Sequence, residues 1–370
     1  MTPLIIQRRE CLLTGLGLLT MPIASIALQE PTTKKGPNLP DGSQAKGMMT
    51  PQLDKAVEKG LEFLATRRRP DGSFGTGAYT GNVAITSLAA LAFMAGGSQP
   101  QRGRFGKIVT DALKYILTQE NKEGGYPGFF HNPKSSPHGP MYGHGFATLF
   151  LAEVHGMIPD KELRTQTHDA LERAIKCILD SQTQEGGWRY NPVPKDADIS
   201  VTICQIMALR SARNSGILVP KSRVDRCVEY VKRCQDKREG WFRYMAQSGG
   251  GGQMGFARTA AGVVALYSAG IYDGPEIEAG LQFLVQSKPQ GLNLQRTEMH
   301  YFYGHYYAVQ AMYTAGGKYW ADWFPSIRDE LISRQRPDGS WFDQVCGHYA
   351  TAMACLVLET PNNYLPIFQK

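Results

Sequence analysis

Two kinds of apolar pattern alternate along most of the chain. In the first, apolar residues recur at helical spacing while Lys, Arg and Glu occupy the opposite face, as in Gly60-Leu-Glu-Phe-Leu64, Ala112-Leu-Lys-Tyr-Ile116 and Cys227-Val-Glu-Tyr-Val231. The second is Ala-rich and almost free of charge, over 83–95, 144–155, 199–212, 259–269, 305–315 and 349–358. A helix apolar on all sides must be buried, and one charged along a face lies outside. Six outer-then-inner pairs predict an all-α fold, a closed (α/α)6 toroid of about twelve helices. The alternative is an open solenoid, whose inner helices would rarely be so uncharged.

The joints repeat too. Each outer pattern runs into a turn: Arg69-Pro-Asp-Gly-Ser-Phe-Gly75, Glu123-Gly-Gly-Tyr126, Glu185-Gly-Gly-Trp188, Glu239-Gly-Trp-Phe242, a weaker one at Gly291, and Pro337-Asp-Gly-Ser-Trp-Phe342. The turn glycines Gly72, Gly125, Gly187, Gly240, Gly291 and Gly339 fall about 50 residues apart, with one longer interval. Gly96, Gly156, Gly270 and Gly316 follow four inner patterns, where a left-handed cap needs no Cβ. Gln182, Gln235 and Gln335 precede their turns and are placed to bond exposed helix-end backbone. Trp188, Trp241 and Trp341 then read as packing residues.

An apolar-aromatic helix, a Gln, then Gly and an aromatic resembles the repeat of squalene and oxidosqualene cyclases, shared more loosely with protein prenyltransferase β-subunits. Gln182-x4-Gly187-Trp188 and Gln335-x3-Gly339-x-Trp341 are its best copies, and the likeness covers nearly all of 53–360. It places the chain in the terpenoid cyclase and prenyltransferase α/α-toroid superfamily. Squalene cyclases resemble two such rings; this chain has room for one.

The N-terminus divides from this repeat. Arg8 and Arg9 precede an apolar run from Cys11 to Leu28, near spanning length at roughly 18 residues. Its small-x-small ending, Ser25-Ile26-Ala27, favours a cleaved signal over a retained anchor, and Arg8-Arg9-Glu10-Cys11-Leu12 resembles the twin-arginine export pattern. The expected organisation is a signal peptide over 1–27, a Gly/Pro/Lys/Ser-rich linker over 28–52 and one toroid over 53–370, working outside the cytoplasm, in a periplasm or on a membrane surface. Apolar residues at 42 % exclude disorder throughout, and a net charge of +7 on 370 residues is too thin for a nucleic-acid stripe. The six cysteines beyond the signal match no disulfide or C-x-x-C pattern.

Candidate chemistry lies where loops enter the inner helices, since those starts converge at one mouth. Lys195-Asp-Ala-Asp-Ile-Ser-Val-Thr202 resembles the Asp-x-Asp-Asp-Thr protonating motif of squalene cyclases, which implies Asp198 as proton donor and Asp196 as its partner. Two close carboxylates resist joint ionisation, so one keeps a proton. The chain departs from the motif at Ile199 and Ser200, and either Asp is also an ordinary helix cap. His144, His305 and His348 each follow a Gly and open an inner pattern; with Arg258 they are expected to face one funnel, beside Tyr142, Phe256 and Tyr303. Such a funnel would suit acid–base work near neutral pH or hold a metal, which the spacing of three histidines on separate helices leaves open. No cofactor is implied, and no metal is assigned to the histidines. Zinc-dependent protein prenylation is disfavoured, because the Asp-x-Cys pair of that family is absent and Ala350 stands where its His would be.

Three function classes remain. The first is an exported isoprenoid cyclase or related lipid-acting enzyme built on the Asp-x-Asp loop. The second is a non-catalytic scaffold for a ligand or a protein. The third, resting on fold analogy, is a polysaccharide-active toroid enzyme. The partner expected is a small molecule or lipid, with peripheral membrane contact and no nucleic acid.

Overall fold

The computed structural model describes residues 45–136, 138–247, 255–287 and 300–368. The signal segment, the Gly291 turn and the Gly249–Gly252 run lie outside them. Twelve helices stand among the described residues. The outer ones are α1 (Pro51–Arg67), α3 (Gly106–Thr118), α5 (Lys161–Asp180), α7 (Lys221–Cys234), α9 (Pro275–Gln286) and α11 (Gly317–Arg334). The inner ones are α2 (Val83–Ala95), α4 (Pro140–His155), α6 (Ile199–Asn214), α8 (Phe256–Ser268), α10 (Tyr301–Ala315) and α12 (Gly347–Glu359). Each inner helix packs on the next, and α12 returns to α2, so the twelve helices form a closed double ring. The patterns explain the layers. Every residue of α2 except Ala84 is buried, whereas α1 buries only Leu53, Ala56, Val57, Gly60, Leu61 and Leu64, one helical stripe.

A shared joint fixes each outer helix to its neighbour. In five units a left-handed Gly is followed two residues later by a buried aromatic: Gly72–Phe74, Gly128–Phe130, Gly186–Trp188, Gly240–Phe242 and Gly339–Trp341. At Gly186, φ is +105° and a Cβ would lie 2.1 Å from the carbonyl oxygen of Arg226 on α7, so only glycine lets the turn touch that backbone. Gln182 Nε2 donates to the Gly186 carbonyl at 2.8 Å and to Arg223 of α7 at 2.9 Å. Gln335 does the same across the ring closure, to Gly339 at 2.9 Å and to Ala56 of α1 at 2.8 Å. The tryptophans are packing residues, with Trp188 Nε1 donating to Ile178 at 2.7 Å and Trp341 Nε1 to Leu331 at 2.8 Å.

The joint corrects several positions. In the second unit it falls at Gly128, because a short antiparallel pair, β1 (Glu120–Asn121) with β2 (Phe129–Phe130), lengthens the turn; Gly125 touches nothing and Tyr126 is exposed. In the third unit the left-handed residue is Gly186, not Gly187. Of the helix-end glycines, Gly270 and Gly316 are left-handed, while in the first unit Gly97 takes that role and Gly156 stays right-handed.

Beyond α12 the chain folds under the ring. Leu365 and Ile367 are buried, and the Ile367 N–H donates to Glu153 Oε2 at 3.1 Å near the C-terminal end of α4. That end of the ring is closed.

Candidate functional site

All six inner helices begin at the other end, and their first turns surround a cavity of about 1440 Å³. Six helix N-termini carry partial positive charge toward that space. Tyr142, Phe146, Phe256, Tyr303 and Tyr349 are among its aromatic walls, and Val83, Ile85, Leu88 and Met353 are aliphatic. Arg189 and Arg258 supply cationic groups, beside His131, His138 and His300. Among the described lining residues none is a carboxylate.

Asp198 stands immediately behind this wall. It is the N-cap of α6: Oδ1 accepts from the Val201 N–H at 2.9 Å and from Ser200 Oγ at 2.6 Å. Oδ2 accepts from the Tyr244 hydroxyl at 3.2 Å, with Arg189 Nε 3.8 Å away. Burial pushes this carboxyl above its ordinary range, and the bonds from Ser200, Val201 and Tyr244 and the Arg189 charge oppose that shift. Arg189 also pairs with Asp196, which is half-exposed, and its guanidinium lies over the rings of Tyr190 and Tyr244. The hydroxyls of Tyr190 and Tyr244 are 2.5 Å apart, and those of Tyr142 and Ser200 are 2.6 Å apart. Asp198 is thus both a cap and the inner end of a hydroxyl network whose members Ser200, Tyr142, Tyr190 and Tyr244 line the cavity.

Tyr142, Phe256, Arg258 and Tyr303 therefore meet at the cavity, with Asp198 behind it and Asp196 outside the lining, paired with Arg189. The expectation that His144, His305 and His348 face the funnel is corrected. Helices α4 and α10 start at Pro140 and Tyr301, which carries His144 and His305 a full turn inward and between the layers. His144 Nδ1 accepts from the Phe130 N–H at 3.2 Å; burial holds this imidazole at about 3, where it is neutral. Thr86, Thr202, Thr259 and Thr351 accept from Phe74, Trp188, Phe242 and Trp341 in the same way. His144 replaces that threonine in the second unit. His305 stands at the matching register of α10, in tilted ring contacts with Tyr301, Phe256 and Trp323, and its pKa is also held at about 3 by burial. His348 Nδ1 accepts from the Gly75 N–H at 2.9 Å. The three do not meet, and among the described residues no His, Cys, Asp and Glu side chains gather as a metal cluster.

The sequence reading missed Arg189, Tyr190, Ser200 and Tyr244. A signal was present: Arg-Tyr follows the joint aromatic twice, at 189–190 and 243–244, and that register points the tyrosine into the cavity.

Fold and site define the class: a single closed α/α toroid whose cavity opens at the inner-helix N-termini. The family model for the prenyltransferase alpha-alpha toroid domain matches residues 48–169 and 160–291, and the chain belongs to that family. No curated protein matches the sequence. Among solved structures, a variant of the type II terpene cyclase MstE from Scytonema, in complex with geranylgeranyl dihydroxybenzoate, is 15 % identical, with 87 % of this chain and 99 % of that one covered and a TM-score of 0.57. Cellobiose 2-epimerase from Bacillus thermoamylovorans is 14 % identical over 83 % and 98 %, with a TM-score of 0.61. A GH76 α-mannanase from Bacteroides thetaiotaomicron is 9 % identical over 88 % and 98 %, with a TM-score of 0.60. At these identities the likeness is one of fold.

Proposed function

We propose that the cavity takes one isoprenoid-type amphiphile, an elongated apolar chain carrying a polar or anionic head. The observation that carries this reading is the composition of the wall: aromatic and aliphatic surface, two arginines and six helix N-termini, with no carboxylate among its described residues. The same wall disfavours glycoside hydrolysis, which commonly sets two carboxyl groups across the scissile bond. A geranylgeranyl benzoate bound by a toroid of like fold supports the ligand class.

A second reading, cyclisation started by Asp198, is favoured by the upward shift of that carboxyl. Asp198 does not itself line the cavity, so direct protonation of an alkene requires Ser200 or Tyr244 to swing aside. The test is incubation of the purified protein with squalene, geranylgeranyl diphosphate and a prenylated benzoate. Native mass spectrometry follows binding and gas chromatography follows products. One bound molecule per chain supports the site, and failure of every probe to bind refutes it. A cyclised product lost in Asp198→Asn would add catalysis. We also propose export through the Arg8-Arg9 signal; replacing both by Lys is expected to leave precursor in the cytoplasm, and unchanged fractionation would refute it.

A further inference from the structure

Two hydrogen-bond chains join the cavity to Asp198, and they are not equivalent. On one side Oδ2 meets Tyr244 at 3.2 Å, with the Arg189 guanidinium 3.8 Å away and itself paired with Asp196. On the other, Oδ1 meets Ser200 Oγ at 2.6 Å, and Ser200 Oγ meets the Tyr142 hydroxyl at 2.6 Å. Oδ1 also accepts the Val201 N–H at 2.9 Å, and the only hydroxyls leading from it toward the cavity, among the described contacts, are Ser200 and then Tyr142. Tyr303 steadies the path by donating to the Ser200 backbone carbonyl at 2.7 Å.

We infer that Asp198, Ser200 and Tyr142 form a proton relay that serves an oxygen-bearing group of the ligand. In the relay the Asp198 acid proton passes to Ser200 Oγ, the Ser200 proton to the Tyr142 oxygen, and the Tyr142 proton to a ligand carbonyl or similar oxygen. One proton leaves Asp198, one arrives at the ligand, and both hydroxyls are restored. The reverse direction takes a proton from a ligand hydroxyl. A phenol is far too weak an acid to protonate an unactivated alkene, so this path selects ligands with an oxygen function near Tyr142. The inference rests on the proposed occupancy of the cavity by an isoprenoid-type chain. Tyr142 would touch the ligand; Ser200 and Asp198 act through it.

The groups facing Asp198 leave it as the titrating member. Arg189 comes from the turn before α6 and carries Asp196 with it, Tyr244 from the turn before α8, Tyr142 from α4 and Tyr303 from α10; Tyr230 and Cys234 lie on α7 and Cys204 on α6 itself. The tyrosines and cysteines named are pushed upward by burial, away from neutral pH.

The test compares a prenyl ketone of C20 chain length, which can only accept, with squalene, which does neither. Affinities for the whole protein are measured from about pH 8 to about pH 4, close to the ordinary carboxylate value of 3.8 above which this group is shifted. Protonated Asp198 turns the relay outward, so the ketone-to-squalene affinity ratio should rise about tenfold as pH falls. Reading the ratio within each variant cancels general losses of binding. The rise should vanish in Asp198→Asn, Ser200→Ala and Tyr142→Phe. A pH-independent ratio in the wild type overturns the relay, and so does a rise that survives Ser200→Ala but not Asp198→Asn, which would route the proton through Tyr244. If neither probe binds wild-type protein, the occupancy reading falls and the relay with it; squalene binding with a flat ratio fells the relay alone.

Discussion

Glu153 offers the sharpest test of how the ring's closed end is built. It is buried near the end of α4, accepts from Ser211 Oγ and from the Ile367 N–H, and has Arg210 nearby. Burial raises its carboxyl from 4.5 to about 7. A raised carboxyl stabilises the fold below its unfolded value, and that contribution is lost as pH rises through the folded value. Between 4.5 and about 7 the unfolded chain ionises here while the folded chain keeps its proton. At about 1.4 kcal/mol per pH unit, the loss across that window is about 3 kcal/mol. Glutamine fits the same bonds, its oxygen to Ile367 and its amide to Ser211, but has no proton to lose. Wild-type stability alone would hide this, because buried His144 and His305 lose stability in the opposite direction, as pH falls below 6.5. Those contributions are common to both proteins and cancel in the difference. Urea denaturation at intervals from pH 4.5 to 7.5 should show Glu153→Gln gaining on wild type steadily, by about 3 kcal/mol in all. Parallel curves would show that Glu153 is solvated or ionised in the fold, and the account of the tail's anchorage would fail.

Three further outcomes follow from the joints. Gly128→Ala should cost about 2 kcal/mol or more, since φ is +83° and its Cβ would lie 2.3 Å from the Arg173 carbonyl oxygen, whereas Gly125→Ala should stay within about 0.5 kcal/mol; equal melting temperatures would disprove the corrected register. His144→Thr restores the acceptor used in four other units and removes a group whose pKa is depressed from 6.5 to about 3, so its stability relative to wild type should improve as pH falls below 6.5 in urea titrations. Asp198→Ala should cost about 1–2 kcal/mol through the lost cap and the bonds stranded on Ser200 and Tyr244, against about 1 kcal/mol or less for the half-exposed Asp196→Ala; similar denaturation midpoints would mean Asp198 is no better anchored than a surface ion pair.

Most of the architecture was legible because it is local and repeated. The uncharged stretch 83–95 matches α2 end to end, and all six outer–inner pairs appear as read. Boundaries slipped where a unit departs from the average. The hairpin of β1 and β2 displaced the second joint from Gly125 to Gly128, and nothing in Glu123-Gly-Gly-Tyr126 distinguishes it from a true joint, since Gly124 is left-handed with an aromatic two residues on and only the exposure of Tyr126 sets it apart. The site was legible in part. Arg258, Tyr142, Phe256 and Tyr303 line the cavity because helix starts converge on it, while Asp198 caps α6 behind the wall. His144 and His305 lie one turn of helix deeper than expected, while His348 is in the first turn of α12 but turns to the Gly75 N–H. A shift of four residues on α4 moves a side chain from the mouth into the joint, and the two settings have the same composition nearby.

That turn of helix separates what the ring repeats from what it does not. One turn inside each inner helix, threonine or histidine accepts the N–H of the joint aromatic, and where both partners are described the bond recurs in all five units. These positions hold the layers together, and chemistry placed there would compete with folding. At the caps, Asn82, Gly139, Asp198, Gly255, His300 and Cys346 share no residue type but glycine. Only one is a carboxylate, and among the described contacts it bonds two hydroxyls of the cavity wall, Ser200 and Tyr244. Sixfold repetition thus delivers six helix starts to one space, while a single exception, Asp198 with Ser200 and Tyr142, breaks the symmetry and gives that space a direction. Under the proposed relay, a bound amphiphile would meet a buried carboxylate behind the α6 side of the wall and a different set of groups, His131, His138 and His300 among them, elsewhere, which is the asymmetry it needs to bind in one orientation.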